Sequence, residues 1–230
     1  MSSKDIIWLA CSIKLSGNCI AGLHIGGEGW IRPVCSSPDG TLFTYHYELI
    51  CKGDALKNPY PIVLDLIRVP LIRPNPKMYQ KENWLINSQE KWELLERPAS
   101  KEKLKLLKNY LESGSKIFGD LKDRISCDCV SNVSYGTSLS LVAPENLYLE
   151  STENQKGNPQ ARAIFYKGNQ LYNLAITDPE WKLIITRQRK GKYPIAFFGI
   201  SSEHNIFLTV SLGEPFNGYC YKLVAAIFFM

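Results

Sequence analysis

The sequence holds three histidines among 230 residues: His24, His46 and His204. None stands at motif spacing from a Ser or Cys, so no Ser-His or Cys-His nucleophile pair is readable. Nowhere does the chain carry the ~20 consecutive apolar residues that span a bilayer; the last apolar run, Leu223 to Met230, is one strand long. Lys4 and Asp5 precede the first apolar stretch, Ser12 and Lys14 interrupt it, and no clear cleavage site follows, so a secretory signal is not expected. Zinc-knuckle spacing is missing as well. Of seven cysteines (Cys11, Cys19, Cys35, Cys51, Cys127, Cys129 and Cys220), the closest pair is Cys127-x-Cys129, with no His near it. An odd cysteine count without an export signal reads as reduced thiols and a cytoplasmic location, with no membrane partner, no metal and no cofactor. Gly26-Gly27-Glu28-Gly29 lacks the Lys-Ser/Thr and the following helix of a phosphate loop, and reads as a hairpin turn. No fixed-period repeat is present.

What is present points to strands. Twelve Tyr, 9 Phe, 5 Trp and 13 Pro favour short strands and turns over long helices. An apolar fraction of 45% and a charged fraction of 21% exclude disorder, collagen and coiled coil. Lys+Arg number 27 against 22 Asp+Glu, a formal charge of +5 that admits a polyanionic partner without requiring one.

Along the chain, Ile6 to Ile13, Cys19 to Ile25, Trp30 to Val34, Leu42 to Cys51 and Pro61 to Ile72 read as five strands, the size of a small barrel. Between Glu82 and Arg97 the recurrence of Trp84, Leu85, Trp92 and Leu95 predicts helix. Ser100 is a candidate N-cap for a further helix, with a stripe of Leu104, Leu107, Tyr110 and Leu111 and Gly114 as its stop. Strands return after residue 137. Ala161 to Tyr166 and Leu171 to Ile176 flank Gly168-Asn169 as a hairpin, and Trp181 to Thr186, Pro194 to Phe198, Ile206 to Leu212 and Tyr219 to Phe228 follow as strands. The expected class is mainly β with a helical insert (α+β): an N-terminal barrel over 1–73, a helical connector over 74–136 and a C-terminal barrel over 137–230.

Several strings, in order, resemble one family. These are Ala10-Cys11-Ser12-x-Lys14, Gly17-x-Cys19-Ile20-Ala21-Gly22, Trp30-Ile31-Arg32-Pro33-Val34, Tyr79-Gln80-x-Glu82-Asn83-Trp84 and Ile176-Thr177-Asp178-Pro179. The last and fullest runs from Val210 to Phe216 and from Tyr219 to Ala226. Together they resemble the dual OB domain family of bacterial proteins. The resemblance implies two OB-like small β-barrels in one chain, often encoded near defence systems. Where the family carries basic residues after the first Ser and before the Cys of the Gly-x-Cys string, this chain has Ile13 and Asn18.

Four sets of residues carry candidate chemistry. Lys182, Arg187, Arg189, Lys190 and Lys192 crowd one acid-free stretch beside Trp181 and Tyr193, read as a basic hairpin: cations for phosphate and rings for base stacking. The alternative is a solvated tip that keeps an edge strand soluble. Lys14, Arg32, Arg68, Arg73, Lys77 and Lys81, with Tyr79 and Trp84 for stacking, form a second set; the alternative for Arg32 and Arg68 is a salt bridge, to Glu28 or Asp65. Asp178-Pro179-Glu180-Trp181-Lys182 contains the Glu-x-Lys of metal nucleases, although Asp178 also suits a turn cap. Asp178, Ser211 and Lys222, from the family-like strings, are pocket candidates, and Lys222 falls on the apolar face of its strand, where it snorkels, pairs with Glu214 or reaches a ligand.

The leading expectation is a non-catalytic module that binds or senses single-stranded nucleic acid in a bacterial defence-type system. The alternatives are a nucleotide or small-molecule sensor with its ligand between the barrels, and an interaction subunit or inhibitor of a toxin or ATPase encoded nearby.

Overall fold

The computed structural model describes residues 2–14, 17–51, 58–97, 100–132 and 136–230. The chain divides into two compact units, Met1–Asn109 and Tyr110–Met230.

The first unit contains β1 (Ser2–Lys14), β2 (Gly17–His24), β3 (Trp30–Val34), β4 (Leu49–Ile50), β5 (Leu66–Pro74), β6 (Asn83–Ile86), β7 (Trp92–Glu96) and α1 (Lys101–Asn109). β1, β2 and β3 form an antiparallel meander. β3 then pairs parallel with β6, β6 antiparallel with β5, and β5 antiparallel with β1, which closes a ring of five. A meander of three strands, with the last strand returning parallel to the third, is the OB order. Ile6, Trp8, Ile20, Ile31, Ile67, Val69, Ile86 and Trp92 fill the ring. Inside it the Trp8 indole meets Tyr47 and Trp92 at 5.8 and 6.3 Å between ring centres. Gly22 is required by close approach: a Cβ there would stand 2.4 Å from the Ile7 carbonyl oxygen.

The helix expected over 82–97 is instead β6 and β7. Asn87 turns the chain between them, its side-chain oxygen accepting from the Gln89 N–H at 3.2 Å. These residues sit in strand ladders rather than along one helix face: Trp84 and Leu85 stand opposite Pro74 and Arg73 of β5, and Trp92 opposite Leu49 of β4. So the first part of the expected connector completes the first barrel, and the unit boundary falls at 109/110 rather than at 73. α1 starts at the expected cap, with the Ser100 hydroxyl accepting from the Lys103 N–H at 3.3 Å, but it ends at Asn109, short of the expected Gly114 stop, and Leu111 of the expected stripe instead bridges to Leu141.

The second unit contains β8 (Arg124–Ser126), α2 (Cys127–Asn132), β9 (Leu139–Val142), β10 (Glu145–Glu153), β11 (Pro159–Lys167), β12 (Gln170–Ile176), α3 (Pro179–Thr186), β13 (Gly191–Pro194), β14 (Ile206–Phe216) and β15 (Tyr219–Phe229). Its sheet runs β13-β10-β11-β12-β15-β14-β9, with β8 also on β15. β10, β11 and β12 are again a meander, and β12 again pairs parallel with the last long strand, β15. The role that β5 fills alone in the first unit is divided here: β13 pairs with β10 and β14 with β15.

Residues 181–186, expected as a strand, form α3. Asp178 is its N-cap, accepting from the N–H groups of Glu180 and Trp181 at 3.0 and 3.1 Å, and Pro179 takes the first helical position. The basic stretch is therefore a helix C-terminus running through a turn into the edge strand β13, not a hairpin. Ile195–Phe198 forms a 3-10 turn, not a strand. Among the described residues no helix is long and apolar enough to cross a membrane.

Candidate functional site

Alternation along the meander of the second unit decides which side chains meet solvent. Ala161, Ala163 and Phe165 of β11 and Tyr172, Leu174 and Ile176 of β12 are buried. Gln160, Arg162, Asn173 and Ala175 therefore lie on the outer face, beside Tyr221 and Leu223 of β15. They floor a groove of about 550 Å³ walled by the β10–β11 loop at Asn154 to Lys156 and by Phe216. The loop is built by Asn154, whose side-chain oxygen accepts from the N–H groups of Lys156 and Asn158 at 2.9 and 3.0 Å. Phe216 is followed by the tight turn of Asn217 and Gly218, both at positive φ (49° and 79°), which sends β14 into β15.

Arg162 is the central cation. Its Nε and Nη2 donate to the side-chain and main-chain oxygens of Asn173, both at 2.6 Å, and Nη1 donates to Gln160 at 3.4 Å. Among the described residues no carboxylate lies within salt-bridge distance of it. Burial lowers its pKa from the ordinary arginine value, with Asp123 and Glu150 acting against that shift. Phe216 is 64% exposed and Tyr219 40%. The Arg124 guanidinium lies 4.9 Å from the Tyr219 ring centre and 5.8 Å from that of Tyr221. Two acids, Asp123 and Glu153, also line the groove; Glu153 is held by Lys190 at 2.8 Å. The groove thus offers a guanidinium with no carboxylate in salt-bridge range among the described residues, exposed Lys156, amides and rings: groups that hold a phosphate, read polar edges and stack flat faces.

The basic stretch adjoins this groove. Lys182, Arg187, Arg189, Lys190 and Lys192 are all exposed. β13 brings Gly191 and Lys192 opposite Ser151 and Glu150, next to the end of β10 that lines the groove. The expected stacking rings there are committed to structure. Trp181 Nε1 donates to the Ile227 carbonyl at 2.8 Å, and the Tyr193 hydroxyl donates to that of Arg189 at 2.8 Å.

Arg32, Arg68, Tyr79 and Trp84 of the second expected set are paired or buried. Arg32 is 7% exposed and lies 3.3 Å from Glu82, itself buried. Arg68 binds both oxygens of Asp5, at 2.8 and 2.9 Å, and faces Glu93 at 3.6 Å. The salt-bridge alternative describes both arginines, with partners other than Glu28 and Asp65; those two acids take Lys4 and Arg97. Tyr79 is 5% exposed, and Trp84 is half-buried under the Lys4 ammonium at 4.5 Å. The side chain of Lys14, the last residue of β1, lies outside the described residues.

Asp178 serves α3 rather than a metal. Besides its two cap bonds it accepts from the Ile227 N–H at 3.2 Å, and burial pushes its pKa up to about 6. Among the described residues no group of three or more His, Cys, Asp or Glu is arranged to hold a metal ion. Ser211 is 9% exposed, within β14. Lys222 points inward and does not pair with Glu214. Its ammonium donates to the carbonyls of Asp120 and Lys122, and burial pushes its pKa down to about 8.

The first unit has a smaller pocket of about 60 Å³, lined among others by Arg32, Asp39, Lys77, Gln80 and Asn83. Asn83 is 3% exposed, and its side-chain oxygen has no hydrogen-bond partner.

Sequence reasoning missed Arg162, Asn173, Lys156, Phe216 and Tyr221. The available signal was the OB rule itself, since ligands lie on the outer face of strands two and three and on the loops beside them. Applied to the hairpin at 161–176, it selects Arg162 and Asn173.

No curated protein matches the chain. A family model, the dual OB-containing domain, matches residues 4–227, nearly its whole length. With one closed OB ring and a second sheet in the same strand order beneath that match, the chain belongs to the dual OB-containing domain family.

Proposed function

We propose that this protein is a binding module whose second unit holds single-stranded nucleic acid on the outer face of β11, β12 and β15, in the defence-type setting that the family resemblance implies. The observation that carries the reading is Arg162: a guanidinium held by amides, without a carboxylate in salt-bridge range among the described residues, in a groove walled by exposed Phe216. A phosphate satisfies that cation. Phe216 and Tyr221 offer faces for bases, a contact tolerant of sequence. Arg187, Arg189 and Lys192 extend the positive potential beyond one wall, while Lys190 is paired with Glu153.

Fluorescence anisotropy of labelled oligo-dT and oligo-U, at rising salt, tests this. Binding is expected to weaken with salt by a log–log slope of roughly −0.7 per phosphate contacted. Absence of binding to either oligonucleotide at ~50 mM salt overturns the reading.

A second reading, a small polar ligand in the first unit, is favoured by the orphaned Asn83 oxygen, which calls for an N–H or O–H donor. A heat-stability screen with nucleosides and nucleotides tests it, since a ligand that binds only the folded state raises the midpoint.

A further inference from the structure

The tip of the β14–β15 hairpin lies over a pair of thiols. Cys127 Sγ and Cys220 Sγ are 4.0 Å apart. Cys220 is 1% exposed, on the inward face of β15; Cys127 is half-buried where β8 passes into α2. The backbones already meet there: Ser126 stands opposite Tyr219, and the Cys127 N–H donates to the Gly218 carbonyl at 2.9 Å. We infer that Cys127 and Cys220 are an oxidation site that closes to a disulfide, tying the start of α2 to the hairpin tip.

The chemistry takes a hydroperoxide as oxidant. The more accessible Cys127 sulfur attacks the peroxide oxygen and becomes a sulfenic acid as the O–O bond breaks and the alcohol or water leaves. The Cys220 sulfur then displaces that hydroxyl as water. Two thiols and one peroxide thus give one disulfide, one water and one alcohol (or a second water). Closing the gap to the bond length of about 2.05 Å needs a sulfur movement of about 2 Å. Cys129 is exposed but is not the partner, because residues two apart on a helix do not face each other. The product fixes the turn at Asn217-Gly218, and with it the wall that carries Phe216.

Peptide mapping after mild hydrogen peroxide treatment and alkylation of the denatured chain tests the inference, with hydrogen exchange of the same samples. The expected result is a linked 127–220 peptide pair, present in Cys129→Ser and absent in Cys127→Ser. Amide exchange over residues 216–221 is expected to slow at least threefold in the oxidised wild type, and to stay unchanged in Cys127→Ser, which keeps the buried Cys220 and its packing. A 127–129 link, or Cys127 driven on to sulfinic acid while Cys220 stays alkylatable, overturns it.

Discussion

The Lys222 ammonium donates to two main-chain carbonyls, that of Asp120 at 2.7 Å and that of Lys122 at 2.5 Å, from the inward face of β15. Beside it the Tyr172 hydroxyl donates to the Ser115 carbonyl at 2.8 Å and accepts from the Ile117 N–H at 3.2 Å. The two side chains pin residues 115–122, with Ile117 and Phe118 buried, onto the second unit. A lysine on an apolar strand face is here a structural clamp.

That clamp titrates in a measurable window. Burial sets the folded pKa of Lys222 at about 8, below the ordinary 10.5. Between those values the unfolded chain holds more protons, so this group makes stability rise with pH across the window. Denaturant melts of wild type and Lys222→Met from pH 7.5 to 10 should show that increment only in the wild type. At pH 7 the variant should lose about 1–3 kcal/mol, because two buried carbonyls lose their donor. Equal pH slopes would refute the assignment.

Asp178 titrates with the opposite sign. Its folded pKa of about 6 lies above the ordinary 3.8, so the folded chain holds the extra proton and this group's contribution falls as pH rises from 4 to 6. Asp178→Asn keeps a cap acceptor and should flatten that fall in melts over the same range. Asp178→Ala loses the cap and should unfold about 1 kcal/mol more easily. It also leaves the Ile227 N–H without its partner.

Arg162→Gln and Phe216→Ala separate charge from stacking in the proposed groove. The first should weaken oligonucleotide binding and reduce the salt slope by roughly 0.7. The second should cost about 1–3 kcal/mol with the salt slope unchanged. Arg68→Gln, whose cation serves Asp5, should bind as the wild type does. Anisotropy titrations at two salt concentrations decide among these outcomes.

Arg32 and Glu82 form a buried pair, so their removal should be strongly non-additive. Arg32→Met alone leaves a buried carboxylate and should destabilise by about 3–5 kcal/mol. Arg32→Met with Glu82→Leu should recover most of that loss. A double-mutant cycle by urea denaturation measures the coupling; additive losses would show that the pair does not act as one.

Where local pattern and packing agree, the sequence was readable. Trp30 to Val34 and the hairpin around Gly168-Asn169 are strands because apolar runs end at true turn residues. Trp84, Leu85, Trp92 and Leu95 misled because their spacing imitates a helix stripe, while Asn87 breaks the segment into two short strands. At 181–186 the apolar run suggested a strand, although Asp178-Pro179 is an N-cap followed by proline at the first helical position. The groove was harder to see. Arg162 and Asn173 look like ordinary outward residues of a hairpin until pairing with β15 brings Tyr221 beside them, and that pairing joins residues almost fifty apart (Ala175 with Leu223).

β15 pairs with β8, β12 and β14. During synthesis the second unit therefore has no complete sheet until residues 219–229 have left the ribosome, and the outer edge of β12 waits unpaired for them. Long-range pairing of this kind is intrinsically slow. A nascent chain stalled before Tyr219 should stay protease-sensitive throughout the second unit while the first unit, whose ring closes with β6, is already resistant.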